Sequence, residues 1–268
     1  MLKNITVKKI IFLIVLLFLP QIVRAETNLA VPFTSQSPFG NWYEPWQNFC
    51  EEASILMVDS YYAKKNLDQP TAKTELLRIN RIKENKYGKS FDENAKKITE
   101  LVNLFLPWEA KTISNPTLEQ IKNEIDNSRP VIIPVYGKDL KNPHFKNGGP
   151  VYHVLVISGY NEDKKEFITQ EPGTRFGLDF HYKYDTILNA IHDFLPGFKT
   201  KNGEKIAIFT SPTLDESKSY DGDSDGLIKV EEMKYGSITW LKDSDGDTFS
   251  DGDEVKNGFS PTKKFEKL

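Results

Sequence analysis

The chain has 268 residues and a formal net charge of −3, and 38% of its residues are hydrophobic and 12% aromatic. This composition supplies enough apolar material for one sizeable core and a small appendage. Because the sequence has no basic tract or patch, it argues against a nucleic-acid-binding protein, in which clustered Lys and Arg neutralise phosphates.

The N-terminus predicts export. Three lysines precede the apolar run IIFLIVLLFLP, whose 11 residues are too few for a membrane-spanning helix, and QIVRA follows. We predict a signal peptide over residues 1–25, cleaved after Ala25; a retained membrane anchor is the alternative. Its removal takes away four basic and no acidic residues, which changes the formal net charge from −3 to −7. The mature chain is therefore predicted to have no membrane span and to be secreted or held at a cell surface.

The first half of the mature chain predicts helices. CEEASILMVDSYYAKK has apolar residues at helical spacing from Cys50 onward, and TAKTELLRI and DENAKKITELVNLF continue the helical pattern. TLEQIKNEIDN predicts a further helix, with Asn115 or Thr117 as its N-cap and Pro116 near the first turn.

The periodicity then changes to that of strands. RPVIIPVYG, VYHVLVISGY and KEFITQ are rich in β-branched and aromatic residues, and the last two predict a hairpin around NEDKK. YDTILNAIHDF predicts a helix with Asp185 as a candidate cap, and EKIAIFT a closing strand. Helices followed by a mostly antiparallel sheet indicate an α+β fold for residues 26–211, which we call the main domain.

The composition shifts near the C-terminus. Residues 212–220 are polar and predict a linker. Residues 221–268, which we call the acidic module, begin with a stretch to residue 254 that carries 11 acidic and three basic side chains, a net charge of −8. A local charge excess of this size repels itself unless a cation neutralises it.

Two loops of the acidic module have the spacing of calcium ligands. DGDSDGLIKVEE and DSDGDTFSDGDE each carry Asp at positions 1, 3 and 5 and Glu at position 12, and position 7 would donate a backbone carbonyl. The first loop has Lys229 at position 9, and the second has Thr248 where an EF-hand has glycine. The predicted ligands of two Ca²⁺ ions are Asp221, Asp223, Asp225, Leu227 and Glu232 in the first loop, and Asp243, Asp245, Asp247, Phe249, Asp251 and Glu254 in the second.

The first loop resembles an EF-hand, and the second, with its Gly-x-x-Pro ending, resembles a bacterial thrombospondin type 3 repeat. The alternative is an unstructured acidic tail. The resemblance implies a weakly calcium-binding extracellular module that stiffens, spaces or protects the main domain. We predict no catalytic role for it.

Cys50 is the only cysteine of the chain. Exported proteins usually pair their cysteines or lose them, so a lone thiol indicates a function. The start of a helix favours the thiolate, although Glu51 and Glu52 would oppose it if they pointed toward the sulfur. His153, in an otherwise apolar strand, is the best partner by type, with His144 an outside candidate; His181 and His192 are more typical of surface or packing positions.

A Cys–His pair also needs a group that orients the imidazole. The predicted hairpin places residues 171 to 174 opposite His153, which makes Glu171 the candidate and Gln170 the neutral alternative. The oxyanion would bind the backbone N–H of Cys50 and a side-chain amide, for which Gln36 and Gln47 both qualify by type.

LAVPFTSQSPFGNWYEPWQNFCEEASILMV, followed by YHVLVISGYN and FITQEPG, resembles the papain-like peptidases related to bacteriocin double-glycine leader peptidases (C39-like peptidases), over residues 29–211. The resemblance implies a papain-like α+β fold and a peptide or protein substrate. It implies Cys50 as nucleophile, His153 as general base and acid, Gln36 in the oxyanion hole and Glu171 as the orienting acid. The sequence departs from the family in having Glu where Asp is more frequent before the proline, and Glu-Glu where many members have Gly after the cysteine.

The sequence thus predicts an exported cysteine peptidase that carries a calcium-binding module and needs no cofactor for catalysis. A cell-wall peptide amidase or endopeptidase is the nearest alternative enzyme. A calcium-dependent surface binding protein on a peptidase-like scaffold, with an unreactive Cys50, is the alternative outside enzymes.

Overall fold

The computed structural model describes residues 26–89, 92–218 and 220–268. The predicted signal peptide lies outside these described residues. Within them, no helix combines the length and the apolar character needed to cross a membrane.

The predicted helices of the main domain form, with shifted ends. Thr117, rather than Asn115, is the N-cap of its helix, where it forms a capping box with Gln120. Asp185 does not cap its helix and instead lies in the first turn, because Lys183 occupies the N-cap position without a side-chain bond. The α-helices are α1 (Cys50–Tyr62), α2 (Gln69–Tyr87), α3 (Ala95–Phe105), α4 (Leu118–Asp126), α5 (Tyr184–Ala190), α6 (Lys229–Tyr235) and α7 (Asp251–Lys256).

Seven strands form one sheet in the part of the chain that the structure describes. Their order is β2-β7-β3-β4-β5-β6, with β1 paired to the end of β4, and every pair is antiparallel. The strands are β1 (Glu26–Asn28), β2 (Glu109–Ser114), β3 (Val131–Val135), β4 (His153–Asn161), β5 (Glu166–Gln170), β6 (Phe180–Lys183) and β7 (Ile206–Ser211). The architecture confirms the predicted α+β class.

Helices cover both faces of the sheet. Val154 and Val156 of β4 pack into one core with α1, α2 and α3. Leu155 and Ile157 pack into a second core on the opposite face, with α4 and α5. Strand β4 is therefore buried on both faces, which is why its sequence is a continuous apolar run rather than an alternating one. His153, the first residue of β4, is therefore an ionisable side chain in an otherwise apolar, buried segment of this strand.

The acidic module packs against the main domain at the end of α3. The hydroxyl of Thr239 donates to the carbonyl of Phe105 at 2.9 Å, and Nζ of Lys229 donates to the carbonyl of Trp108 at 3.3 Å. Within the predicted linker, Lys218 pairs with Glu109 of β2 at 3.0 Å. These contacts make the module a docked extension of the main domain.

Candidate functional site

A cleft of about 1030 Å³ lies between the loop that precedes α1 and the start of β4. Cys50 and His153 both line it, as does Gln36. Large apolar side chains surround its mouth and are exposed: Phe39, Trp42, Phe176, Leu195 and Phe198. The cleft therefore combines the predicted reacting groups with a rim that can contact apolar side chains of a ligand.

The side chain of Gln36 holds the loop before Cys50 in place. Gln36 donates through its amide nitrogen to the carbonyls of Trp46 (3.0 Å) and Gln47 (2.8 Å). Cys50 then begins α1, and no side chain caps that helix start. Gln36 lines the cleft together with Cys50. Both of its amide hydrogens have backbone acceptors, so its role in an oxyanion hole stays a prediction. The Gln47 side chain turns away to Glu44.

His153 and Glu171 are in direct contact. Nε2 of His153 lies 2.5 Å from Oε1 of Glu171, and both side chains are buried. Gln170, the alternative orienting residue, bonds instead to Ser158 and Asp179. Since Glu171 engages Nε2, the other imidazole nitrogen, Nδ1, remains for a second partner.

Glu171 is itself oriented by two further donors. The backbone N–H of Gly173 donates to Oε1 at 2.8 Å, and the Tyr182 hydroxyl donates to Oε2 at 3.0 Å. Asn142 donates in turn to the Tyr182 oxygen at 2.6 Å. A Cβ atom at Gly173 would lie 3.0 Å from both Glu171 Oε1 and His153 Cε1, so the close packing of the pair depends on this glycine.

The other three histidines lie apart from this pair. His144 lines the cleft and its ring lies 4.7 Å from that of Phe176. His181 pairs with Glu166 at 3.0 Å on the sheet edge. His192 bonds to the carbonyl of Gly203 at 2.9 Å, beyond the end of α5.

The thiol of Cys50 is surrounded by acidic groups. Its sulfur donates to Oε2 of Glu51 at 3.1 Å. Burial raises the pKa of Cys50 well above its ordinary value, and the carboxylates of Glu51 and Asp92 raise it further. The helix start, which the sequence predicts to favour the thiolate, is opposed by burial and by a glutamate that does point toward the sulfur.

Behind the thiol lies a buried ion pair. Lys83 of α2 contacts Glu52 at 2.5 Å, and the two side chains are 4% and 1% exposed. Burial and the Glu52 carboxylate raise the pKa of Glu51 to about 8, although Lys83 lowers it. One lysine thus faces two adjacent buried glutamates.

Three residues of the site were not found from the sequence. Asn142 and Tyr182 support Glu171, and Asp92 lines the cleft next to Cys50. Tyr182 alternates with exposed residues in a four-residue strand, and Asp92 lies in a charged stretch before α3. No pattern in either segment marks these positions.

The two loops of the acidic module adopt the same local geometry. The Asp at position 1, Asp221 or Asp243, accepts from the backbone N–H at positions 4 and 6 in each loop. The Asp at position 5 accepts from the N–H of Leu227 in the first loop and of Phe249 in the second. Thr248 takes a positive φ of 84° where the first loop has Gly226, an unusual conformation for a β-branched residue.

The carboxylates of each loop converge. Oxygens of Asp221, Asp223 and Asp225 lie within 4.8 Å of one another, and so do those of Asp243, Asp245 and Asp247. Glu232 is 0% exposed, and neither of its carboxylate oxygens has a hydrogen-bond partner among the described residues. Burial and neighbouring aspartates raise its pKa to about 8. Unpartnered buried carboxylates of this kind fit a divalent cation bound by oxygen ligands.

Asp251 has hydrogen-bond partners within the second loop, and its role as a calcium ligand stays a prediction. Its carboxylate accepts from the backbone N–H (2.8 Å) and hydroxyl (2.6 Å) of Ser244, so it fastens the second loop. Glu254, at position 12, is buried and keeps one oxygen without a partner in the described chain. The convergent cluster of the second loop thus consists of Asp243, Asp245 and Asp247.

The model of the Peptidase C39-like family matches residues 28–195. None of the curated proteins matches the chain. Among solved structures, a protein described as a C39-like peptidase from Bacillus anthracis is 16% identical, with a TM-score of 0.47, and the match covers 72% of this chain and 99% of the other. Because the family match spans more than half of the sequence and includes Cys50, His153 and Glu171, the chain belongs to the Peptidase C39-like family.

Proposed function

We propose that the protein is an exported cysteine peptidase in which Cys50, His153 and Glu171 act together. Membership in a peptidase family implies a peptide or protein substrate. The contact between Glu171 and His153, which lines the same cleft as Cys50, is the observation that carries the proposal. Glu171 holds the imidazole through Nε2, and in the proposed mechanism Nδ1 is the nitrogen that takes the thiol proton.

In this mechanism Cys50 attacks the peptide carbonyl while its proton passes to His153. The imidazolium then protonates the leaving amine, and a water molecule activated by His153 releases the acyl group from the sulfur. The backbone N–H of Cys50 stabilises the oxyanion, and Gln36 joins it if its amide moves from one backbone carbonyl.

Hydrolysis of an unstructured polypeptide by the mature chain tests the proposal, with Cys50→Ala as the matched inactive variant. Release of new amino termini by the wild type and none by the variant is the expected result. Turnover of purified peptidoglycan without turnover of polypeptide would instead support the cell-wall amidase or endopeptidase.

One observation favours the non-catalytic alternative. A buried thiol with a raised pKa, next to Glu51, is the opposite of an activated nucleophile. If neither polypeptide nor peptidoglycan is cleaved, and Cys50→Ala leaves ligand binding unchanged, the chain is a binding protein on a peptidase scaffold.

We also propose that the acidic module holds two calcium ions, one in each loop. Both buried carboxylate oxygens of Glu232 and one of Glu254 have no hydrogen-bond partner among the described residues, which supports this proposal, as do the two convergent aspartate clusters. The ions would offset the net charge of −8 and so stabilise a folded module. Calorimetric titration of chelator-treated protein with Ca²⁺ tests the number of sites.

A further inference from the structure

We propose that Glu51 is a positioning residue that holds the Cys50 thiol in its protonated, resting form and releases it when Glu51 itself takes up a proton. The inference rests on the proposed function, because it assigns a control step to the same nucleophile. It starts from a contact that the peptidase mechanism does not use: the sulfur of Cys50 donates to Glu51 at 3.1 Å.

The direction of the Glu51 side chain is fixed at both oxygens. Oε2 accepts from the thiol, and Oε1 accepts from the backbone N–H of Glu93 at 2.9 Å. The residue is 2% exposed. A carboxylate bound at both ends and excluded from water cannot turn away from the sulfur without losing the Glu93 bond.

The neighbouring glutamate has a different partner. Glu52 contacts Lys83 at 2.5 Å, so the ammonium group nearest to Glu51 is paired with Glu52. Glu93 likewise pairs with Lys97 at 2.8 Å. Glu51 is therefore the carboxylate that accepts the hydrogen bond of the thiol. The ionisable groups that face it are Cys50 and Glu52 of α1, Lys83 and Tyr87 of α2, Asp92, Glu93 and Lys97 before and within α3, and Tyr152 before β4.

The protons in this step balance. With Glu51 ionised, loss of the thiol proton would place two negative charges about 3.1 Å apart in a buried site, which is strongly unfavourable. When Glu51 takes a proton from solvent, its O–H can donate to the sulfur. The thiol proton then passes to His153, which leaves a thiolate, an imidazolium and a neutral Glu51.

Glu51→Gln imitates the protonated state, because the amide is neutral and can both donate to sulfur and accept from Glu93. Glu52→Gln is the matched control, since it removes the same charge one residue along but from the Lys83 pair. The assay is the rate of Cys50 alkylation by iodoacetamide against pH, which requires no substrate. Melting temperatures of all variants verify folding.

We expect Glu51→Gln to be alkylated about tenfold faster or more near pH 9, where wild-type Glu51, whose pKa burial raises to about 8, is ionised; this is equivalent to a thiol pKa lower by about one unit. Glu52→Gln should change the rate by less than about threefold. Glu51→Asp, which keeps the charge but withdraws it from the sulfur, should lie between wild type and Glu51→Gln and serves if the glutamine variant does not fold.

An alkylation profile of Glu51→Gln that overlies the wild type, or an equal effect of Glu52→Gln, would overturn the proposal. Failure of the peptidase function is a separate result, because it appears as lack of turnover while the alkylation profiles still report on Glu51. Among active variants, a shift of the kcat profile with pH and an unchanged KM would distinguish control of the thiol from a merely structural role.

Discussion

Removal of the Lys83 ammonium is the sharpest test of the charges behind the nucleophile. Lys83 contacts Glu52 at 2.5 Å, and both side chains are almost fully buried. Lys83→Met keeps much of the aliphatic stem but leaves Glu51 and Glu52 facing each other without a cation. Breaking a buried pair by removing one partner typically costs about 3–5 kcal/mol of unfolding free energy.

The loss should depend on pH, with a sign fixed by the glutamates. Burial already raises the pKa of Glu51 to about 8 and that of Glu52 above its ordinary value, while Lys83 lowers both. A carboxyl with a raised pKa binds more protons in the folded state, so stability falls as the pH rises from about 4.5 toward 8. Without Lys83 both pKa values rise further, so this decline extends to higher pH.

We therefore expect Lys83→Met to lose about 3–5 kcal/mol near pH 8 and less than about half of that near pH 5. Urea unfolding at the two pH values measures the difference. Lys86→Met is the control, because Lys86 lies in the same helix but its contact with Glu100 is exposed and 4.0 Å long. An equal loss at both pH values, or a loss no greater than that of the control, would refute the reasoning.

Three further outcomes follow from the site and the module. Glu171→Gln keeps the shape of the side chain but replaces the carboxylate, which accepts from the Tyr182 hydroxyl, with an amide. In steady-state kinetics, kcat should fall by about 10²-fold or more with KM little changed; an unaltered kcat would remove Glu171 from the mechanism. Gly173→Ala should lower kcat while the circular-dichroism spectrum stays that of the wild type, since the added Cβ would displace His153 or Glu171; full activity would contradict this packing. Chelation should lower the melting temperature of the wild type by several degrees, and Glu232→Gln should abolish much of that shift; the same Tm with and without chelator would mean that no structural calcium is bound.

The elements that could be predicted are those with long periodic or apolar segments. Strand β4 was evident because burial on both faces makes it continuously apolar. The short edge strands β2 and β6 were not predicted, because β2 exposes residues such as Lys111 and β6 has only four residues. The pairing of His153 with Glu171 could be foreseen from the hairpin, although a register irregularity between Ile157 and Gly159 shifts the opposing strand.

The environment of the thiol could not be predicted in the same way. The sequence shows Glu51 beside Cys50, but whether it points to the sulfur depends on a backbone N–H at Glu93, 42 residues later. The support of Glu171 by Tyr182 likewise depends on how β6 pairs with β5. Contacts of this kind arise only from tertiary packing, so they leave no local pattern.

Lys229 connects the acidic module to the helix of the nucleophile. It is 1% exposed and donates to the carbonyl of Trp108, whose indole N–H donates to Asp59 of α1 at 3.0 Å. A chain shortened after residue 211 would remove the hydrogen-bond donors of this carbonyl and of that of Phe105. Each carbonyl that then remained buried without a water partner would cost about 1–3 kcal/mol of unfolding free energy. For protein engineering, the main domain should therefore not be transferred alone. A chimaera that contains it needs the segment through Thr239, which supplies the hydrogen-bond donors for these two carbonyls.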